Sequence, residues 1–377
     1  MRVLFITNLF PPYTRGGAEA VVYDDALRAA KDGADVSVIT TCPWNGWRSL
    51  WPQMEILDGL RVWRFFPLNV YHTLNDHQHS RLAHVIWHIA DFFNFHSALT
   101  IFKILSREKP DRVITHNLKG IGMLTPWILR RQKIPHTHFL HDVQLVTPSG
   151  LIIKGAEESS EHKSPAANLF RLMTRRFFGS PEEVTGFSSW VNDLHTSAKF
   201  FPRSKFSVRR MLAPEILDRV LLPFSKPARN FFYIGQIEKH KGIFEIVKAW
   251  RAGRSGGARL HFVGDGSAFD ELRKMTMSDG DIILHGRKTG EELEEFWRQA
   301  DVLVAPSLCY ENSPVVVAEA LRHSVPMIVS DIGGAPEMVK IGRNGWIVEA
   351  GNVKQIGDLL QKIIVGEFST TYPQDIP

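Results

Sequence analysis

Strand-length apolar runs alternate with helical patterns along the whole chain, and this alternation restricts the fold more than any other feature. The runs fall at residues 3–7, 36–39, 61–65, 112–115, 136–140 and 184–187, then at 231–234, 260–263, 282–284, 302–305, 326–329 and 346–348. Short apolar runs spaced by helices of about 10–15 residues read as parallel sheets covered on both faces. The two halves also open alike. Residues 3–7 lead through Gly16-Gly17 into Ala18, Val21, Val22, Ala26 and Ala29 at helical spacing, and residues 231–234 lead through Lys241-Gly242 into Ile243, Ile246, Val247 and Trp250. Each opening is a strand, a loop of phosphate-binding size and a helix.

A chain of 377 residues holds about two domains, so the economical fold is α/β: two Rossmann-like, doubly wound parallel-sheet domains. A ligand cleft is expected where they face one another, at the carboxyl ends of the strands. The stretch 213–228 carries three prolines and reads as a linker. It divides a first domain, 1–212, from a second, 229–365, followed by a tail, 366–377. Residues 149–165 read as a polar, mobile insertion. Residues 81–107 read as helix that is apolar nearly all round, for which burial is preferred to contact with lipid.

Cys42 and Cys309 are isolated in different halves, which excludes a disulfide framework and a zinc-type spacing and fits reduced thiols of a cytoplasmic protein. The first nine residues are too short for the apolar region of a signal peptide. Apolar stretches without formal charge, such as 82–90 and 92–102, fall short of the ~20 residues that cross a bilayer. Net charge is uneven, +8 over residues 1–212 and −3 over the remainder. Twelve of 16 His and seven of 10 Trp also lie in the first part, which suits an anionic membrane surface, here the inner face, or a phosphate-bearing partner. No nucleic-acid partner is expected.

The richest stretch is PSLCYENSPVVVAEALRHSVPMIVSDIGGAPE, residues 306–337. Residues 302–305 supply a strand, Asn312 or Ser313 an N-cap, Pro314 the first helical position, and 315–321 the helix. Glu311 then sits at the mouth of a helix whose free N–H groups, around Ser313 and Val315, favour a diphosphate. Glu319 follows eight residues later, so a fully helical interval would separate the two carboxylates by roughly 12 Å. That spacing suits an elongated ligand with hydroxyls at both ends, such as a nucleotide sugar.

Glutamate, seven residues, glutamate, then Ala320, Pro326 and SDIGGAPE resembles the retaining, GT-B-type glycosyltransferases of family 4. The resemblance implies that Glu311, within ENSP, holds the donor sugar and Glu319 the ribose. FFYIGQIEKHKGI is similar to the family loop G-R-L-x-x-x-K-G. It places Lys241 at the leaving diphosphate and puts Gln236 where the family has arginine, a loss of one bidentate phosphate contact that Lys239 is available to replace. HFVGDGSAFDEL resembles the V-G-x-G turn, with Gly264 and Gly266 lining the nucleotide site. It is not a dinucleotide fingerprint, because Phe269 stands where the next glycine belongs. ILHGRKTG carries Gly286 and Arg287 near the base pocket. In the first half, PPYTRGGAE resembles the loop whose glycines, Gly16 and Gly17, let backbone approach the diphosphate. HTHFLHDVQLVTPSG resembles the H-D motif, in which His141 contacts the donor sugar beside Asp142. His116 is a lesser candidate, and His136 and His138 alternate within the strand.

The resemblance spans residues 1–365 and implies hexosyl transfer, with retention, from a nucleotide diphosphate sugar to a hydroxyl. Neither a cofactor nor a metal is expected, since the chain has no Asp-x-Asp or His cluster suited to one. The basic, Trp-rich first half points to a lipid-linked or saccharide acceptor of cell-surface polysaccharide or glycolipid synthesis. Two alternatives carry over: a sugar-nucleotide epimerase of the same fold and a non-catalytic nucleotide-binding subunit. The resemblance implies a long final helix that returns to brace the first domain; the short stretch after residue 365 does not supply it, so either the crossover is missing or the chain is truncated.

Overall fold

The computed structural model describes residues 1–222, 227–253 and 256–367. Residues 223–226 of the expected linker and 368–377 of the expected tail lie outside them. The chain forms two compact units, each an α/β fold built on a parallel sheet.

The first unit comprises Met1–Gly150, Ser159–Gly186 and Val191–Arg209. Its strands are β1 (Arg2–Ile6), β2 (Asp35–Thr41), β3 (Gln53–Leu57), β4 (Leu60–Phe65), β5 (Arg112–Thr115), β6 (His136–Leu140), β7 (Glu183–Gly186) and β8 (Lys205–Val208). The helices in this part of the chain are α1 (Gly17–Lys31), α2 (Arg81–Phe92), α3 (Phe95–Glu108), α4 (Thr125–Arg131), α5 (Ser160–Lys163), α6 (Pro165–Phe178) and α7 (Ser189–Ser197). The sheet order is β3-β4-β2-β1-β5-β6-β7-β8, parallel except where β3 meets β4. Val3, Phe5, Val36, Val38 and Val62 pack on Val22 and Ala26 of α1, so the residues alternating along the strands meet the apolar stripe of the helix.

The second unit takes the chain from Arg210 onward together with Leu151–Glu158 and Phe187–Trp190. It contains β9 (Asn230–Ile234), β10 (Arg259–Val263), β11 (Ile282–Leu284), β12 (Val302–Ala305), β13 (Met327–Ser330) and β14 (Gly345–Val348). Its helices are α8 (Pro214–Leu217), α9 (Ile243–Ala252), α10 (Phe269–Thr276), α11 (Glu291–Gln299), α12 (Val315–Arg322) and α13 (Val353–Val365). The order β11-β10-β9-β12-β13-β14 is parallel throughout. Alternate residues feed two cores: Val302, Val304 and Ile328 pack with α9 and α13, whereas Leu303, Met327 and Val329 pack with α12. Helices cover both faces, which is why these strands read as unbroken apolar runs.

Two expectations change. Residues 149–165 are partly ordered on the second unit: Ile153 bridges antiparallel to Cys309, Lys154 N–H donates to Leu308 O at 2.8 Å, and Tyr310 N–H donates to Ile152 O at 2.9 Å. Residues 81–107 are two helices, not one. Phe93 caps the end of the first, and Asn94 caps the second by accepting Ser97 N–H at 2.9 Å. Only one side of each is buried, with Trp87 and Phe92 inward on α2 and Ile101, Ile104 and Leu105 inward on α3, while the opposite side faces solvent. Among the described residues no helix is long and apolar enough to cross a membrane.

The first unit encloses an unusual number of imidazoles. Thr115 Oγ1 lies 2.6 Å from His136 Nε2 and 2.8 Å from His138 Nδ1, and His116 Nδ1 lies 2.8 Å from His141 Nε2. Burial holds His136 down to about 3 and His72, His141 and His195 down to about 4, with His116 and His138 also well below the usual value. These groups are neutral when folded and take protons when unfolded, so their contribution is lost as pH falls from 6.5 toward 4. Asp91 and Asp142, raised by burial to about 7 and about 6, act in the opposite direction but are fewer. The melting temperature of the first unit is therefore expected to fall steadily from pH 6.5 to 4.5, at up to about 1.4 kcal/mol per imidazole per pH unit; calorimetry across that range checks this, and a flat profile contradicts it.

Candidate functional site

In the second unit, the loops at the carboxyl ends of β9, β10 and β11 stack edge to edge. Gly235 N–H donates to Val263 O at 3.0 Å, Gly264 N–H to Gly286 O at 2.9 Å, and Ile237 N–H to Asp265 O at 2.9 Å. Gly264 has φ +151°, and a Cβ there would lie 1.8 Å from Gly235 O. A Cβ on Gly266 would lie 2.5 Å from Ile237 O. The sequence needs glycine at both positions because backbone passes against backbone. Gln236 is exposed on this loop, its carbonyl taken by the Tyr233 hydroxyl. Arg287 is exposed after β11.

A second close approach positions the charged pair. Gly242, at φ +76°, would place a Cβ 2.1 Å from Pro306 O, and Leu308 N–H donates to His240 O at 2.9 Å. The turn Lys239–Lys241 is thereby stitched to the loop after β12, and Lys241 Nζ reaches Glu311 Oε2 at 2.9 Å. The two side chains are 21% and 25% exposed, enough for a ligand to reach them. Burial works against the ammonium, but the Glu311 carboxylate outweighs it and holds the Lys241 pKa above its ordinary value, so Lys241 is a cation throughout the neutral range.

The SDIGGAPE segment is the floor beneath Glu311. Gly334 N–H donates to Glu311 O at 2.7 Å. A Cβ on Gly333 would lie 2.4 Å from Glu311 O, and one on Gly334 would lie 1.8 Å from Asn312 O. Asn312 is buried, and its Oδ1 accepts the Ser188 hydroxyl at 2.7 Å. Glu337 accepts the backbone N–H groups of Ser189 and Trp190 at 2.9 and 2.8 Å. Beside Glu311, Tyr310 stacks on Trp190 with ring centroids 5.7 Å apart and donates its hydroxyl to Glu157 at 2.8 Å.

Neither Asn312 nor Ser313 caps α12. Pro314 is itself the N-cap, Val315 opens the helix, and the Ser313 hydroxyl turns toward Met338 Sδ at 3.4 Å. Proline's fixed φ suits that position, and Asn312 is already engaged with Ser188. Glu311 thus lies in the loop, so the 12 Å spacing of a fully helical interval does not apply. Glu319 is on α12, paired with Arg322 and 3.9 Å from His323 Nε2.

In the first unit, Gly16 is the N-cap of α1 and its N–H donates to Glu19 Oε2 at 2.8 Å. Its φ of −157° is extended, and the nearest atom to a Cβ would be 3.9 Å away, so neither strain nor crowding demands glycine; Gly17 is the first residue of α1. His141 follows β6 and shares a hydrogen bond with His116. Asp142, half-buried like His141, accepts Gln144 N–H at 2.8 Å. His136 and His138 face Thr115 in the core. The structure thus groups Lys241, Glu311, Asn312 and the Gly333–Gly334 turn in one unit, and His116, His141 and Asp142 in the other.

Two family models match this chain: "Glycosyl transferase 4-like domain" over residues 16–210 and "Glycosyl transferases group 1" over residues 228–365. The chain belongs to the GT-B glycosyltransferases. Among relatives, the putative teichuronic acid biosynthesis glycosyltransferase TuaC of Bacillus subtilis is 25% identical, covering 90% of this chain and 83% of its own. An uncharacterized 42.6 kDa protein in the cps region of Klebsiella pneumoniae is 24% identical, over 93% and 90%. The sucrose-phosphate synthase of Thermosynechococcus elongatus shares the fold at TM-score 0.68 and 15% identity, over 97% of this chain and 90% of that one. The lipopolysaccharide outer core galactosyltransferase WaaB does so at 0.62 and 18%, over 97% and 91%.

For this glycosyltransferase, motif reading missed Ser188, Trp190 and Glu157, the partners of Asn312, Tyr310 and Glu337. Each is more than a hundred residues from its contact, and no local pattern marks it. The glycines differ in a testable way. Gly264→Ala is expected to cost about 3 kcal/mol through strain and backbone overlap, and Gly16→Ala less than about 1 kcal/mol; urea unfolding of both variants checks this, and equal costs would contradict the backbone argument.

Proposed function

We propose that this glycosyltransferase moves a hexosyl group from a nucleotide diphosphate sugar to a hydroxyl, with retention at the anomeric carbon. The observation that carries the reading is the Lys241–Glu311 pair, 2.9 Å apart, beside strand-end loops whose glycines let backbone pack against backbone. Glu311 holds the sugar, Glu319 the ribose, and the Gly264 and Gly266 loop and Arg287 flank the nucleotide. Gln236 offers its amide where the motif resemblance implies a guanidinium. In the first unit, Gly16 and Gly17 are assigned to the diphosphate and His141 with Asp142 to the sugar, His141 as a neutral hydrogen-bonding group because burial keeps its pKa near 4.

In the proposed step the anomeric C–O bond breaks and its electron pair leaves with the diphosphate. The acceptor oxygen bonds to the same face of the anomeric carbon and gives its proton to the departing phosphate oxygen. The transition state is oxocarbenium-like, and Lys241 and the first-turn N–H groups of α12 stabilise the charge growing on the diphosphate. The scheme assigns that charge to Lys241 and needs no metal ion. The acceptor is proposed to be a lipid-linked or saccharide intermediate of cell-surface polysaccharide or glycolipid synthesis, a reading supported by the names of the teichuronic acid and lipopolysaccharide relatives. Both family models are transferase models, which favours transfer over epimerisation.

A thermal-shift panel with UDP, GDP, ADP and dTDP is expected to show one clear responder, since a ligand at 100 times its Kd stabilises by about 2.7 kcal/mol. No response to any of them would sink the donor-site reading. Glu311→Ala and Lys241→Ala are each expected to lower transfer about a hundredfold to a thousandfold while the fold survives, because both side chains are partly exposed. Unchanged transfer in a product assay would remove them from the mechanism, and release of free sugar without acceptor would point to an epimerase.

A further inference from the structure

The outer side of α2 and α3 is apolar where a solvent-facing helix is ordinarily polar. On α2, Leu82, Ile86 and Ile89 recur at intervals of four and three; on α3, Phe95, Leu99 and Phe102 do the same. All six are exposed, Leu82 at 70% and Phe95 at 67%. The other side of both helices is already committed to the core, through Trp87 on α2 and Ile101 and Ile104 on α3, so this stripe is not the inward face of a misplaced helix. Hydrogen bonds tie neighbouring loops to the start of α3. His96 Nε2 lies 2.9 Å from Leu50 O, at the end of the turn that exposes Trp47 by 75%, and Asn94 Nδ2 donates to Leu68 O at 3.3 Å. Exposed apolar stripes on two successive helices mark a contact site.

Charge says which kind. Between residues 82 and 107 the sole acid is Asp91, which is buried, whereas Lys103 and Arg107 are exposed. A second copy seated on this face about a two-fold axis would bring its own Lys103 and Arg107 against these. An anionic bilayer complements them, and exposed tryptophan suits the level of lipid headgroups. At 12 and 14 residues the helices are about 18 and 21 Å long, too short for a ~30 Å hydrocarbon core, so they lie in the plane of the surface. We propose that the outer face of α2 and α3, with the Trp47 turn beside it, docks this chain onto an anionic membrane as an interfacial element. This docking would present the first unit to a lipid-linked acceptor, but it stands independently of the transfer reading.

Flotation of the full chain tests it, with phosphatidylcholine vesicles carrying one quarter phosphatidylglycerol against pure phosphatidylcholine. The expected result is recovery of most of the protein with the anionic vesicles and at least tenfold less with the neutral ones. Ile86→Glu/Ile89→Glu and Leu99→Glu/Phe102→Glu should each abolish recovery, and Lys103→Glu should reduce it, while nucleotide thermal shifts stay at the wild-type value. Should either double glutamate variant fail to fold by circular dichroism, Leu82→Ser/Leu99→Ser takes its place with the same expectation. Equal recovery with and without anionic lipid overturns the proposal, as do variants that float like wild type. A dimer in sizing that these variants dissociate, with no vesicle recovery, overturns it in favour of a second copy. A nucleotide response that persists when flotation fails separates the loss of this proposal from the loss of the donor-site reading.

Discussion

Backbone passing against backbone is the constraint on which the rest of the second unit depends. Gly242 against Pro306, Gly264 against Gly235, and Gly333 and Gly334 against Glu311 and Asn312 are approaches that a single methyl group would block. They draw the strand-end loops close enough for Lys241 and Glu311 to meet. The ion pair is only partly buried, so water screens it and it adds little to stability. Its role is to keep a cation and a carboxylate fixed and accessible, with burial and attraction balanced so that the lysine stays charged. A phosphate that took Lys241 as its partner would release the Glu311 carboxylate to accept hydrogen bonds from hydroxyl groups.

The first unit solves a different problem. Its core accepts polar rings where aliphatic side chains would pack more simply, and it keeps them neutral by burial. His116 and His141 share one hydrogen bond, which requires one ring to donate and the other to accept. Protonation of the accepting ring at that nitrogen would remove the acceptor, so the bond persists only while that ring stays neutral. An imidazole held in this way can offer a defined hydrogen bond without titrating near neutrality, which is how His141 is used in the mechanism proposed above.

Much of this was legible in the sequence, for identifiable reasons. Strands covered on both faces write themselves as unbroken apolar runs, and twelve of the fourteen strands among the described residues begin or end within a residue of such a run. β3 and β8 have no such run: both lie at sheet edges, where residues such as Glu55, Lys205 and Ser207 alternate with apolar ones. Residues 306–337 announced Glu311 and Glu319 through motif, but the motif said nothing about what holds Glu311 in place, because Glu157, Ser188 and Trp190 come from distant chain. The helix cap was misassigned for a local reason, since the Asn312 side chain is drawn to Ser188. The outward face of α2 and α3 was read as buried because an all-round apolar helix gives no periodicity from which to choose a side.

The path of the chain has an evolutionary consequence. The second unit borrows Leu151–Glu158 and Phe187–Trp190 from the interior of the sequence that builds the first, and those loans back the loop that carries Glu311. A recombination event that joined the first part of one such chain to the second part of another would carry over the borrowed segments from the wrong parent. The loop after β12 and its backing must therefore diverge together, which makes this chain less modular than two sheets in succession suggest.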